Sequence, residues 1–268
     1  MIIPFICVNY NTSEETIKYI NNVKSLNDSN DAVTIVIDNS PTNNDFDILE
    51  AFIKKTYPTD NSIVLMKTEN KGYFQGLNDG IKEAKKLGIS NTFFVVGNND
   101  IIFEDDFITK LKNIDLKENI LVLAPDVITQ DQSHENPHVI ERIGFLRKLK
   151  YDVYYIHYGL AKYLSKIKSV ERRFKAYDPE RKEIHMGIGA LYILTPKFFT
   201  HFDQLSEEVF LYGEEAILAG QINSVNGKIL YEPDLICYHN ESATTSKMES
   251  RAKYETVRKS YKTYRKYL

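Results

Sequence analysis

The 268-residue chain has no run of eighteen apolar residues, which excludes an ordinary transmembrane helix. Its apolar start, MIIPFICVNYN, lacks a basic leader and a small-residue cleavage site. It therefore reads as a first strand rather than a secretory signal. Only two cysteines occur, Cys7 and Cys237, each inside an apolar run. Two such thiols build no disulfide framework and suit a reducing cytoplasm. Internal repeats and low-complexity segments are also missing. Two phosphate signatures are absent as well. No GxGxxG follows the first strand and no GxxxxGK[ST] occurs, which argues against a Rossmann dehydrogenase and a P-loop enzyme. What remains is an ordinary globular balance, 43% hydrophobic and 26% charged, long enough for one large domain.

The charge is unevenly spread. Residues 247–268 carry eight Lys/Arg against Glu249 and Glu255, which leaves the rest of the chain at −9. Residues 142–182 carry twelve Lys/Arg against four acids and are rich in tyrosine. Basic, aromatic, helical segments suit an anionic membrane surface or a phosphate-bearing partner, and a pair of solvated helix faces is the plain alternative.

Along the first 125 residues apolar runs alternate with amphipathic stretches. Strands are expected at 2–10, 32–38, 62–68, 92–97 and 120–127. Helices are expected at 13–26, 45–56, 73–87 and 105–113. That alternation predicts βαβ units and a mostly parallel sheet, with both faces covered by helices. Beyond Pro125 the pattern breaks. Residues 128–140 read as loop, 151–175 as a basic aromatic helix, 188–195 and 228–239 as strands, 196–202 and 214–226 as helices, and the tail from Ser246 as a basic helix. The reading is one domain, with a C-terminal half built onto the sheet's edge.

Three of the parallel strands end in polar clusters: Asn9-Tyr10-Asn11, Asp38-Asn39-Ser40 and Asn98-Asn99-Asp100. Such residues suit turns. In a doubly wound sheet, however, the carboxyl ends of successive strands converge on one crevice, where ligands bind. After the third strand comes NKGYFQGLNDG, residues 70–80, with three glycines and three amides at and beyond a strand-to-helix turn. Glycine permits close backbone approach and a helix amino terminus favours phosphate. Gly72 and Gly76 could equally serve helix–sheet packing.

The segments VNYN, VIDNS, NKGYFQGLNDGI, GNND and YGEEAIL, in this order, resemble glycosyltransferase family 2, and more narrowly its bacterial rhamnosyltransferase-like members. The resemblance covers about residues 3–265. It implies a GT-A fold, with a nucleotide-sugar-binding half over 1–125, an acceptor and catalytic half over 126–246, and the basic tail over 247–268. It implies an inverting transferase that moves a sugar from a UDP-, dTDP- or GDP-linked donor to a glycan acceptor, itself lipid-linked, in cell-surface polysaccharide synthesis such as capsule or O-antigen. The expected location is the cytoplasm, peripheral on the inner face of a bacterial membrane. No nucleic acid is expected as a partner.

The resemblance also distributes roles. Asn9, Tyr10 and Asn11 would border the base, and Asp38 would accept a hydrogen bond from base or ribose. Asn70, Gly72 and Asn78 would line the nucleotide and diphosphate. Asn98-Asn99-Asp100 stands where the family carries DxD, so Asp100 would hold Mg²⁺ or Mn²⁺, with His239 completing the site. A hard cation held by carboxylate oxygen offsets the charge that builds on a diphosphate leaving group. The motif departs from DxD in its first residue, and Asn98 could bond the ribose or sugar instead. The base would come from Glu214-Glu215, with Glu215 at the family's Asp position, because an inverting transferase needs a carboxylate to take the acceptor proton. Gly187-Ile188-Gly189-Ala190 would leave room for a sugar ring. Two alternatives stay open: a non-catalytic nucleotide-sugar-binding protein, and a nucleotidyltransferase, against which stands the lack of a Gly-rich cationic loop after the first strand.

Overall fold

The computed structural model describes residues 1–167, 174–240 and 250–268. Its first hundred residues fold as the alternation dictates. β1 (Ile3–Asn9) is followed by α1 (Ser13–Ser25), β2 (Ala32–Asp38), α2 (Asn44–Thr56), β3 (Ile63–Lys67), α3 (Tyr73–Lys86) and β4 (Phe94–Asn98). β1 pairs in parallel with β2 and β4, and β2 pairs in parallel with β3. Successive side chains of a strand face opposite ways. Phe5 and Cys7 join the core that holds Tyr19, Ile20 and Val23 of α1. Ile6 joins the core on the other face, with Phe74, Leu77 and Ile81 of α3. Helices thus cover both faces, which is why these strands are apolar without a break.

Next come β5 (Ile101–Phe103), α4 (Phe107–Lys112), β6 (Ile120–Thr129), α5 (Phe145–Tyr154), α6 (Tyr158–Ile167) and β7 (Lys182–Ile184). β8 (Leu191–Leu194), α7 (Phe198–His201), α8 (Glu214–Asn223), β9 (Lys228–His239) and α9 (Ser250–Tyr264) complete the chain. The sheet order is β3-β2-β1-β4-β8-β6-β9-β5, with β7 also on β9. β8 lies antiparallel between β4 and β6, and β9 is parallel to β6. Two antiparallel steps restore direction, so β1, β2, β3, β4, β6 and β9 all run one way. Their carboxyl ends lie along one edge. The expected mostly parallel sheet is therefore present, with β5, β7 and β8 running against it.

Several boundaries differ from the sequence reading. β5 and β7 have three residues each, too few for an alternation to declare them. The helix expected over 151–175 starts earlier, at Phe145, and is broken after Tyr154. There His157 Nδ1 accepts the Gly159 N–H at 3.0 Å, which caps α6 as a new helix. Residues 174–181 are not helical, and 168–173 lie outside the described residues. The tail helix is seen from Ser250, and 246–249 also lie outside them.

The basic tail is not a free arm. Tyr254 and Tyr261 of α9 are buried, and Tyr261 stacks on Tyr155 with ring centroids 4.6 Å apart. Gly213 and Gly220 at the start and middle of α8 make way for its rings. A Cβ at Gly213 would meet Tyr264 at 2.0 Å, and one at Gly220 would meet Tyr267 at 2.1 Å. Ser260 Oγ donates to the Leu211 carbonyl at 2.6 Å. The Arg258 guanidinium donates to the Tyr155 and Ile156 carbonyls, and Arg265 pairs with Asp152. α9 therefore braces α5, α8 and the turn that leads into α8.

Candidate active site

Polar residues from five strand ends share the carboxyl edge, but they divide into two kinds of environment. The first is closed. Asn9 is fully buried, and its Nδ2 donates to Asp38 Oδ1 at 2.8 Å and to Asp45 Oδ2 at 3.1 Å. Its Oδ1 accepts the Thr16 hydroxyl at 2.8 Å. Asp38, also fully buried, takes Lys67 Nζ on Oδ2 at 2.6 Å and the Ser40 hydroxyl on Oδ1 at 2.5 Å. Burial alone would raise the Asp38 pKa, but the hydrogen bonds from Lys67, Ser40 and Asn9 outweigh it and hold the carboxyl below its usual range. Asn99 joins the same network, donating to the Thr16 and Thr12 hydroxyls at 2.7 and 2.8 Å. Asn9, Asp38 and Asn99 thus bond each other, Lys67 and residues of α1 and α2.

Asn78 is likewise bonded within the protein. It is fully buried in α3, where it donates to the Leu205 carbonyl at 2.9 Å and to Glu207 at 2.7 Å and accepts the Leu205 N–H. It ties α3 to the 205–207 segment. Gly72 is explained by the same side of the molecule. Its φ is 125°, and a Cβ there would meet the Phe210 carbonyl at 2.7 Å, in the turn that precedes α8. Asn70 is exposed and accepts the Gly72 N–H at 3.2 Å, shaping that turn. Tyr10 and Asn11 are exposed at the end of β1, so of the first cluster they are the residues open to a ligand.

The second environment is open on one side. Asn98 is half-buried at the end of β4, and Asp100 is buried in the turn that follows. β5 pairs back against β9, so Ile101 stands opposite His239. That register brings His239 Nε2 to 3.4 Å from both Asp100 Oδ1 and Asn98 Nδ2. The other ring nitrogen, Nδ1, lies 3.0 Å from Glu135 Oε2. Burial would lower the imidazole's pKa, but the hydrogen bonds and charges of Asp100 and Glu135 outweigh it and push it up to about 10. Glu135 was not anticipated from the sequence. It lies in the irregular 128–140 segment and carries no motif signal. The structure fixes it through Asn136, which is fully buried, donates to the Pro125 carbonyl at 2.7 Å and accepts the Ile188 N–H at 2.9 Å. Lys175 Nζ adds bonds to the Glu135 and Pro137 carbonyls.

Among the described residues no group of three His, Cys, Asp or Glu has the geometry of a complete metal site. Asp100 and His239 make a pair. Two donors each about 2.1 Å from one cation stand about 3 Å apart when adjacent, close to the observed separation. A ligating histidine usually donates its second N–H to a carboxylate, which fixes tautomer and ring orientation. Glu135 stands where that partner belongs. The spacing of the pair therefore suits two adjacent ligands of a divalent cation.

The third part is the start of α8. Glu214 is buried, and its Oε1 accepts the Tyr212 N–H at 3.0 Å. Burial and then the adjacent Glu215 charge push its carboxyl up to about 8. Glu215 is half-buried, and its Oε1 accepts the Gly189 N–H at 3.2 Å. A Cβ on Gly189 would lie 2.7 Å from that oxygen. The adjoining Ala190 carbonyl accepts the Asn98 N–H at 2.8 Å. Gly97 permits this approach, since a Cβ there would meet the Ala190 oxygen at 2.4 Å. The 187–190 loop therefore links the end of β4, the Glu135 loop and Glu215.

Residues 5–175 match the model of glycosyl transferase family 2. The chain belongs to this family. No curated protein sequence matches it. This family 2 member does resemble solved structures, and all of these likenesses are at the level of fold. GalNAc-T7 with UDP, GalNAc and Mn²⁺ superposes with a TM-score of 0.61 at 13% identity, over 90% of this chain and 44% of that one. The mannosyltransferase PcManGT of Pyrobaculum calidifontis, in complex with GDP-Man and Mn²⁺, gives 0.54 at 13% identity, over 90% and 57%. Residues 1–349 of S. aureus TarS give 0.57 at 11% identity, over 90% and 60%. The chain thus spans about half the length of these neighbours. The GT-A fold expected from the sequence is the fold it has. None of its described helices is long and apolar enough to cross a membrane.

Proposed function

We propose that the protein is an inverting, metal-dependent glycosyltransferase that uses a nucleoside-diphosphate sugar and a glycan acceptor, the glycan carried on a lipid at the inner face of a bacterial membrane. The observation that carries the reading is the 187–190 loop, which joins the Asp100–His239 end of the crevice to Glu215. A transferase needs a leaving-group end and a base end held in fixed relation. The neighbours in complex with UDP or GDP-Man together with Mn²⁺ support a nucleotide-sugar donor and a cation.

Asp100 and His239 would hold Mg²⁺ or Mn²⁺, which when bound supplies positive charge against the departing diphosphate. Glu135 orients His239 through Nδ1 and leaves Nε2 facing Asp100. Tyr10, Asn11 and Asn98 border the open side and are the residues that meet nucleotide or ribose. Glu215 takes the proton of the acceptor hydroxyl as that oxygen bonds to the anomeric carbon from the face opposite the diphosphate. The bond from that carbon to the β-phosphate oxygen breaks, and the nucleoside diphosphate leaves. Glu214 is the buried neighbour, its carboxyl raised by burial and by the Glu215 charge. It holds the Tyr212 turn so that Glu215 projects into the crevice.

The test is thermal unfolding with UDP, dTDP, GDP or CDP, each with Mn²⁺, Mg²⁺ or EDTA. A ligand that binds only the native state raises Tm by mass action. A rise with one nucleotide that EDTA abolishes is the expected result. A rise that survives EDTA would remove Asp100 and His239 from the cation, and no rise with any nucleotide would sink the donor-site reading.

A further inference from the structure

α5 carries two apolar faces, and among the described residues only one is packed against a neighbour. Tyr151, Tyr154 and Tyr155 at its end turn towards α9, where they stack on Tyr254 and Tyr261. On the opposite side, Phe145 is 74% exposed, Leu146 73%, Leu149 46% and Val153 39%. At about 100° per residue these four span only about 100° of the helix circumference, one contiguous stripe. Ile156, 59% exposed, extends it past the helix end. Contiguous exposed apolar stripes of this kind mark interaction surfaces.

The charge around the stripe selects the partner. Lys150 is exposed beside one edge of it and Lys148 is half-buried beside the other, while Arg147 lies on the Tyr151 side. Asp152, the one acid of α5, is bound by Arg265 and Tyr261, so it presents little negative charge. On the α9 side, the Arg251 guanidinium lies over the Tyr158 ring and Arg258 donates to the Tyr155 and Ile156 carbonyls just past the end of α5. An amphipathic helix with large apolar side chains on one side and Lys/Arg flanking it lies in the plane of an anionic bilayer.

We propose that the outer face of α5 docks the protein on an anionic lipid surface, with Phe145, Leu146, Leu149 and Val153 entering the headgroup region. This assigns the membrane contact to α5 rather than to the aromatic side of the basic tail, which is buried on α5 and α8. α9 links the stripe to the base, since Tyr261 packs on α5 while Tyr264 packs on Gly213 next to Glu214-Glu215. The inference rests on the lipid-linked-acceptor reading for its purpose, and its surface can be tested separately.

The experiment is flotation of the whole chain with phosphatidylcholine vesicles, with and without about 30% phosphatidylglycerol. Nucleotide-induced thermal shift and size exclusion are run on the same samples. Wild type is expected to float with the anionic vesicles and less well with neutral ones. Leu146→Glu/Leu149→Glu should lower the bound fraction at least about tenfold, and Lys150→Glu about fivefold. Both variants should keep the wild-type Tm and its nucleotide shift, because these side chains are exposed. Wild type that stays in the dense fraction while the nucleotide shift is intact overturns the docking surface and leaves the transferase reading standing. Flotation of the double variant equal to wild type overturns the assignment to α5. A wild-type dimer that the double variant converts to monomer, without vesicle binding by either, makes the stripe a contact between copies and also overturns it. Flotation as expected without any nucleotide shift supports the surface and counts against the transferase reading.

Discussion

The two polar clusters at the carboxyl edge contain similar residues and do different things. Around Asn9, Asp38 and Asn99 each buried polar side chain has its partners within the protein, with Lys67 adding a charge-assisted bond. Around Asp100, His239 and Glu135, one side of the imidazole is fixed and the other faces a carboxylate at 3.4 Å, longer than a good hydrogen bond. A saturated cluster locks β1, β2 and α1 together. A cluster held firmly from one side can exchange its longer contact for a ligand. Polar composition at a strand end does not separate the two cases; the destination of each hydrogen bond does.

The sharpest way to break this comparison is at the base. Glu215→Gln keeps the shape and the bond from Gly189 N–H but cannot accept the acceptor proton. It should lower kcat by about 10²–10⁴-fold. The donor KM and the nucleotide thermal shift should stay near wild type. If kcat is unchanged, the proton goes elsewhere and the link through the 187–190 loop is only structural.

The next effect is at the orienting carboxylate. Glu135→Gln retains an oxygen for His239 Nδ1–H but removes the charge. It should weaken Mn²⁺ binding, measured by titration calorimetry in the presence of nucleotide, about 10–100-fold. Glu215→Gln should leave that titration unchanged. A metal affinity untouched by loss of Glu135 would place the cation away from His239.

A cut in the closed cluster should act on stability instead. Asn9→Ala takes a donor from Asp38 and Asp45 and an acceptor from Thr16. Stranding buried polar partners costs about 1–3 kcal/mol. That corresponds to a Tm several degrees lower, at about 2–4 °C per kcal/mol for a chain of this size. Metal affinity of the molecules that remain folded should be near wild type. A variant with normal Tm and lost nucleotide binding would mean that Asn9 faces the ligand after all.

The closed and open clusters also differ in how much of each was legible in the sequence. The βαβ units and the shared edge were legible, because continuous apolar runs alternating with amphipathic stretches suit little besides a parallel sheet covered on both faces. Asp100 stood out in a polar cluster at a strand end, whereas His239 and Glu215 were reached through the family resemblance. The inward turn of Asn9, Asn78 and Asn99 did not. An amide that bonds a neighbour and one that bonds a ligand look alike in a string of letters. Glu135 was invisible for another reason. It reaches His239 only because the long β6–β9 pairing places Thr129 opposite His239 and returns the following loop to the same edge. A pairing between strands about a hundred residues apart has no local signature. The docked tail was half-legible: its tyrosines and charge were plain, but Gly213 and Gly220, which receive Tyr264 and Tyr267, reveal their purpose only in three dimensions.

The smallest expected effect on activity separates the two glutamates that open α8. Glu214 is raised to about 8 in the fold, from 4.5 for a free side chain. The folded protein therefore holds a proton that the unfolded chain has released. Its contribution to stability is fully present below about pH 4.5, is lost as pH rises through the folded value, and is flat beyond it. Glu214→Gln keeps an oxygen for the Tyr212 N–H and cannot ionise. Thermal unfolding at pH 5 and pH 8 should show a larger fall for wild type than for the variant, and the variant should be the more stable at pH 8. Because Glu215 remains, activity at pH 7 should stay within a few-fold of wild type. A loss as deep as that of Glu215→Gln would instead make Glu214 the proton acceptor. The closed-against-open distinction would then fail inside α8, since the buried member of the pair would be the working one.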